Sequence, residues 1–189
     1  MRFHRFVLKV IFVFVPVFIL FGCVGKSSFR GEAVSPSTAA AEIDLPDQNG
    51  DNFRLSEMRG SVVLVFFGFT NCVDECPLTM AHIKLALEQL GDRAQNVRVV
   101  LVSTDPVRDS RKALKEYLDK FNPSFVGITG AYADLKMIWD AYDVTVLDGG
   151  ETHSSFTYMI DKNGNLRATF EPEAKPEDIA HDLDILLSE

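Results

Sequence analysis

Residues 62–67, Val-Val-Leu-Val-Phe-Phe, form an unbroken apolar run of β-branched, aliphatic and aromatic side chains. A strand with one wet face alternates polar and apolar residues, whereas a short continuous run of this kind is covered on both faces. Helices on both sides of a sheet supply such cover, so the run marks the centre of an α/β domain. The next segment agrees: Pro77 stands where a helix opens, since its missing N–H is not needed there, and Met80, Ile83, Leu87 and Leu90 recur at three- and four-residue steps up to Gly91.

The remaining chain repeats this alternation. Residues 97–102 read as a second buried strand, and Asp109 is a cap for a helix carrying Leu114, Tyr117, Leu118 and Phe121. A strand near 125–128 is followed by a helix capped by Thr129, with Leu135, Ile138 and Tyr142 on one face. Residues 155–160 and 166–170 flank Asp161-Lys162-Asn163-Gly164 as a hairpin, and Pro176 starts a last helix with Ile179, Leu183 and Leu186. Ahead of the central run, Asn49-Gly50 joins two short strands, because both residues tolerate positive φ. The expected fold is a thioredoxin-like α/β domain: a central mixed sheet flanked by helices, with an N-terminal hairpin extension.

The first residues are a separate matter. Arg2, Arg5 and Lys9 precede an apolar stretch over 10–21, the layout of a secretory signal. The stretch is short against the roughly 20 apolar residues a spanning helix needs. Leu20-Phe21-Gly22-Cys23 resembles a bacterial lipobox with Cys23 as the lipid acceptor. The expected organisation is a lipoprotein signal peptide over 1–22, a flexible Gly-, Ser-, Pro- and Ala-bearing tether over 23–41, and one folded domain over 42–189. Removing the first 22 of 189 residues leaves 167, and the net charge moves from −8 to −11. So acidic a surface lacks the clustered Lys and Arg that a nucleic-acid partner requires. The expected setting is the cell envelope, on the extracytoplasmic side, with the membrane reached through a lipid anchor.

Outside the cytoplasm thiols can be oxidised, so the two remaining cysteines pose a redox or metal question. They lie in Cys72-Val73-Asp74-Glu75-Cys76-Pro77, between the buried strand and the helix, where open α/β sheets place their sites. A first-turn position would favour the Cys76 thiolate through the orphan amides and the helix dipole. A redox pair of the thioredoxin type is separated by two residues; the three here suit splaying around a soft metal such as Cu(I) or zinc. Of the histidines left after signal removal, His82 and His181 fall among exposed positions of helices. His153 follows the glycine-bearing segment 148–152 and precedes a strand. Met80, Met137 and Met159 sit at core-like positions in separate elements, and Phe66, Phe67 and Phe69 pack beside the cysteines.

Three motifs, residues 66–77, Val102-Ser103-Thr104-Asp105-Pro106-Val107-Arg108-Asp109, and His153-Ser154-Ser155 leading into Tyr158-Met159-Ile160-Asp161, resemble those of the Sco/SenC family of copper-binding proteins, in the same order and over 42–189. The resemblance implies a thioredoxin fold and a role in assembling cytochrome c oxidase, particularly its binuclear copper A centre. It implies Cys72, Cys76 and His153 as ligands of Cu(I) or Cu(II), with Asp105 supporting the site or partner docking. The implied partners are the copper ion and an oxidase subunit or another copper-receiving protein. Asn71 and Val73 stand where the family commonly has histidine and proline. The same thiols suit a thiol-disulfide reductase that keeps partner cysteines ready for metallation, in which Cys72 and Cys76 are the redox pair and His153 is not required. A peroxidase of the same fold lacks its Pro-x-x-x-Thr-x-x-Cys motif here.

Overall fold

The computed structural model describes residues 28–150 and 152–189. The expected signal peptide and Cys23 lie outside them. In chain order the strands and α-helices are β1 (Glu32–Ala39), β2 (Asp44–Pro46), β3 (Asn52–Arg54), β4 (Val62–Gly68), α1 (Glu75–Leu90), β5 (Val97–Ser103), α2 (Arg111–Leu118) and β6 (Val126–Ile128), followed by α3 (Tyr132–Ala141), β7 (Val146–Leu147), β8 (Thr152–His153), β9 (Thr157–Ile160), β10 (Asn165–Phe170) and α4 (Pro176–Ser188). Six strands form one mixed sheet in the order β1-β10-β9-β4-β5-β6. β4, β5 and β6 run parallel, while β9, β10 and β1 join antiparallel beyond β4. This is the thioredoxin-like arrangement, with the β2–β3 hairpin as its N-terminal extension.

The central run behaves as its composition requires. Every residue of β4 is buried. Val62, Leu64 and Phe66 enter a cluster with Ile83 of α1, Leu114 of α2 and Leu183 of α4. Val63, Val65 and Phe67 face the other way, onto Leu135, Ile138 and Trp139 of α3 and onto Ile43 and Phe53 of the hairpin region. Two-residue periodicity thus divides one apolar strand between two cores, and each such side chain contributes about 1.5–3 kcal/mol on burial.

The sheet extends further than the sequence suggests. Residues 32–39, expected within the tether, form β1 against β10. This strand is almost wholly exposed and contains Pro36, and its register shifts between Ala33 and Thr38. Proline is admitted there because an edge strand needs no donor on its open side. The entry into β1 is tied down by fully buried Asp182 of α4, which accepts the backbone N–H groups of Arg30 and Gly31 at 2.9 Å. At the opposite edge, Gln48 clasps β6: its Nε2 donates to the Phe125 carbonyl at 2.9 Å, and its Oε1 accepts from Gly127 N–H at 2.7 Å.

Three local expectations are corrected. Ser110, not Asp109, caps α2, accepting from Ala113 N–H at 3.2 Å. Thr129 is buried and caps nothing; α3 begins after Ala131 without a side-chain cap. Met137 is 66% exposed, whereas Met80 and Met159 are fully buried as expected. On α3, Leu135, Ile138 and Trp139 already fill the inward stripe, leaving Met137 on the outer face.

Candidate metal centre

The site lies where the parallel strands end. After Gly68 the chain leaves the sheet through Phe69, Thr70 and Asn71, reaches Cys72, and re-enters regular structure at α1. The helix starts at Glu75, two residues before Pro77, which places Cys76 in its first turn. Cys76 is buried and Cys72 is half-buried; both are free thiols. The Cys76 backbone N–H donates to Cys72 Sγ at 3.4 Å, so this orphan amide of the helix serves the other sulfur. Burial pushes the Cys76 thiol well above the ordinary cysteine range, partly offset by a hydrogen bond with the Phe69 backbone. Burial among Phe66 and Phe69 thus works against the thiolate that the helix end was expected to favour.

His153 comes from a different part of the chain. It ends β8, which pairs with β7 in a two-stranded hairpin with Val146 opposite His153. Its Nε2 lies 4.0 Å from Cys76 Sγ. Its Nδ1 lies 3.0 Å from the Ser154 carbonyl, which can only accept, so Nδ1 carries the proton and Nε2 presents its lone pair to the thiol. The ring also meets Phe69 edge-on, with centroids 5.7 Å apart.

The turn behind His153 is tied to the end of β5. Gly149 and Gly150 have φ of 69° and 104°, and a side chain on Gly150 would stand 2.2 Å from the Thr104 carbonyl oxygen. Thr104 Oγ1 donates to the Gly150 carbonyl at 3.2 Å. The glycines allow a left-handed turn to press against the end of β5.

Asp105 is buried and pairs with the Arg108 guanidinium. It does not line the cleft; Arg108 does, with its guanidinium 5.6 Å from the Phe69 ring centroid. Asp105 thus reaches the site through Arg108. Asp109, read from sequence as a cap, is fully buried and accepts from Thr70 N–H at 3.1 Å, Thr70 Oγ1 at 2.6 Å and Ser103 Oγ at 2.6 Å. It joins the strand end of β5 to the loop two residues ahead of Cys72. Burial raises its carboxyl above the usual range against the pull of these donors. No local signal marks this role, because Thr70 is 39 residues away. His82 and His181 bond to the Ala174 carbonyl and to Asp182.

Cys72, Val73, Glu75, Arg108 and His153 line an open cleft of about 560 Å³. Metal–sulfur and metal–imidazole bonds of about 2.3 and 2.0 Å put two ligands of one ion roughly 3.5–4.3 Å apart, depending on angle. The Cys76–His153 separation of 4.0 Å lies in that interval. Among the described residues no group of three His, Cys, Asp or Glu is closed around a common point. The arrangement offers a sulfur and a nitrogen at ligand spacing, with a second sulfur in the adjoining loop. That donor set suits a soft, low-coordinate ion.

Comparison with known proteins gives a consistent result. Residues 32–188 match the SCO1/SenC family. A SCO2-like protein of Rickettsia felis is 35% identical over 147 residues, covering 73% of this chain and 72% of its own. The copper-bound structure of ScoI from Bradyrhizobium japonicum superposes with a TM-score of 0.71 at 30% identity, covering 79% of this chain and 99% of that one. The apo Sco1 structure from Thermus thermophilus gives 0.74 at 30% identity, covering 84% and 97%.

Proposed function

Because the chain belongs to the SCO1/SenC family, we propose that it carries copper on Cys72, Cys76 and His153 and passes it to a copper-receiving protein, the copper A subunit of cytochrome c oxidase being the target the family implies. The observation that carries this reading is the 4.0 Å approach of His153 Nε2 to Cys76 Sγ, made by residues 77 positions apart. The copper-bound Bradyrhizobium relative shares this fold at 30% identity and supports the assignment.

The geometry suggests how the ion is taken up. Cys76 enters the reaction as a thiol, so forming its bond to Cu(I) releases a proton to solvent. Cys72, half-buried and lining the cleft, is the sulfur that meets an incoming donor first. Transfer of the ion inward to Cys76, with loss of the thiol proton, completes a two-sulfur site, and His153 adds nitrogen, which Cu(II) favours. Asp105 steadies Arg108 at the rim.

His153→Ala is the test. It should weaken Cu(II) binding strongly and remove or shift the thiolate-to-Cu(II) charge-transfer band, while Cu(I) stays on the two sulfurs. An unchanged Cu(II) spectrum and affinity would favour the reductase reading, in which half-buried Cys72 attacks a partner's disulfide and buried Cys76 resolves the mixed disulfide.

We further propose that Cys23 bears lipid and holds the domain at the extracytoplasmic face of the membrane, after cleavage of residues 1–22. Because Phe29 packs on the core and Arg30 and Gly31 are held by Asp182, the leader after Cys23 is shorter than the sequence alone suggests. Cys23→Ser should prevent both lipidation and cleavage at this point. Continued incorporation of labelled fatty acid in that variant would refute the anchor.

A further inference from the structure

We propose that Ser155 and Glu75 form a latch that sets the His153 imidazole for copper, which makes them positioning residues of the centre. The inference rests on the copper site proposed above. Ser155 Oγ donates to Glu75 Oε2 at 3.2 Å and stands 3.4 Å from His153 Nδ1. A hydroxyl has a single proton. Of its two acceptors the Glu75 carboxylate at 3.2 Å is nearer than the His153 carbonyl at 3.5 Å, and with the proton there the Ser155 oxygen faces the imidazole as an acceptor, as does the Ser154 carbonyl on the same nitrogen. Both neighbours of Nδ1 therefore demand its proton, and the lone pair is held on Nε2, toward Cys76. Outer partners of this kind orient a ligating histidine and strengthen it as a donor.

The latch also joins the two elements that supply the ligands. Glu75 opens α1 one residue before Cys76, and Ser155 follows His153 by two residues at the exit of β8. The hydrogen bond spans 80 positions of sequence. Ser155 is 8% exposed, whereas the Glu75 side chain reaches solvent, so water can compete for the carboxylate and let the hairpin part from the helix. The turn at Gly149 and Gly150 is pinned to Thr104. The latch is thus the contact whose opening frees His153 without unseating the hairpin base.

The experiment compares the reduced full chain with Ser155→Ala, Glu75→Ala, their double variant, Ser155→Thr and His153→Ala. Copper(II) sulfate and Cu(I) held by a chromophoric chelator serve as probes, with circular dichroism as the folding control. Each single alanine variant should weaken Cu(II) about tenfold and shift its charge-transfer band, the low end for loss of an outer-shell partner. Cu(I) affinity should stay within about threefold, because both sulfurs remain. The double variant should be no weaker than Ser155→Ala, since the Ser155–Glu75 bond is already lost there, and Ser155→Thr should keep the wild-type band. The latch is overturned if the alanine variants leave Cu(II) unchanged, if their effects add in the double variant, or if Cu(I) falls by the same factor as Cu(II). Should Ser155→Ala fail to fold, exposed Glu75 decides the question alone. If His153→Ala weakens Cu(II) and the latch variants do not, the latch is wrong and the copper site stands. If His153→Ala has no effect, the site itself is wrong.

Discussion

Cys72→Ser and Cys76→Ser should each lower Cu(I) affinity roughly 10²–10⁴-fold, the factor by which two linked contacts exceed one. A serine hydroxyl does not replace a soft thiolate, and the remaining sulfur with His153 is a mixed and weaker donor set. The two variants should differ in stability. Cys76 is 1% exposed and packed beside Phe66 and Met80, so a smaller, more polar hydroxyl there loses apolar contact and buries a more strongly solvated group. Cys72 is half-buried and tolerates serine. Oxidising the wild-type pair should reproduce the loss: two thiols surrender two protons and two electrons to the oxidant, the disulfide offers no thiolate, and dithiothreitol should restore binding. Competition titration against a chromophoric Cu(I) chelator measures all three cases. Stoichiometric high affinity in either serine variant would mean that the ion is held elsewhere.

The second large effect concerns stability. Asp109→Ala leaves three donors without an acceptor: the Thr70 amide, the Thr70 hydroxyl and the Ser103 hydroxyl. At about 1 kcal/mol each the loss is roughly 3 kcal/mol, or a fall in Tm of about 6–12 °C for a domain of this size. Asp109→Asn should cost less, because it keeps one acceptor and removes a buried charge. Burial raises the carboxyl of Asp109 in the folded protein, so the folded state holds that proton more readily than the unfolded chain. The associated stabilisation is complete below the unfolded value and is lost as pH rises through the folded value. Acidification into the carboxylate range should therefore stabilise wild type relative to Asp109→Asn, which does not titrate. Urea unfolding at several pH values reads the difference, and parallel curves for the two proteins would contradict it.

Much of this architecture was legible from residue patterns. The apolar run that became β4, the three- and four-residue steps of α1 and α4, and the Asn-Gly and Asn163-Gly164 turns all report local physics, and each element formed as expected. β1 was not legible because an exposed edge strand has no inward stripe to display; residues 32–39 read as leader, yet Glu32, Ala33, Thr38 and Ala39 pair with β10 on either side of an irregular stretch at Ser35, Pro36 and Ser37. Asp109 looked like a helix cap because its local setting suits one, yet burial turned it toward Thr70. At the site, the spacing of Cys72 and Cys76 and their place after β4 could be read directly. The approach of His153 could not, since it depends on the β7–β8 hairpin and on Gly150 meeting Thr104. Family resemblance identified the histidine; the fold supplies its distance and tautomer. Glu75 and Ser155 carried no signal at all, because each is ordinary alone.

Both rims of the six-stranded sheet are closed to further strands. Along β1, Pro36 removes a donor and the shifted register breaks the regular row of partners that a neighbouring chain would need. Along β6, the Gln48 amide already occupies one carbonyl and one N–H, and Asp47 bridges to Ile128. A protein concentrated on a surface meets copies of itself far more often than one diffusing freely, and open sheet edges would then nucleate ordered aggregates. On the lipid anchor proposed above, edges blocked in this way would let the chain crowd at a membrane without strand-to-strand polymerisation.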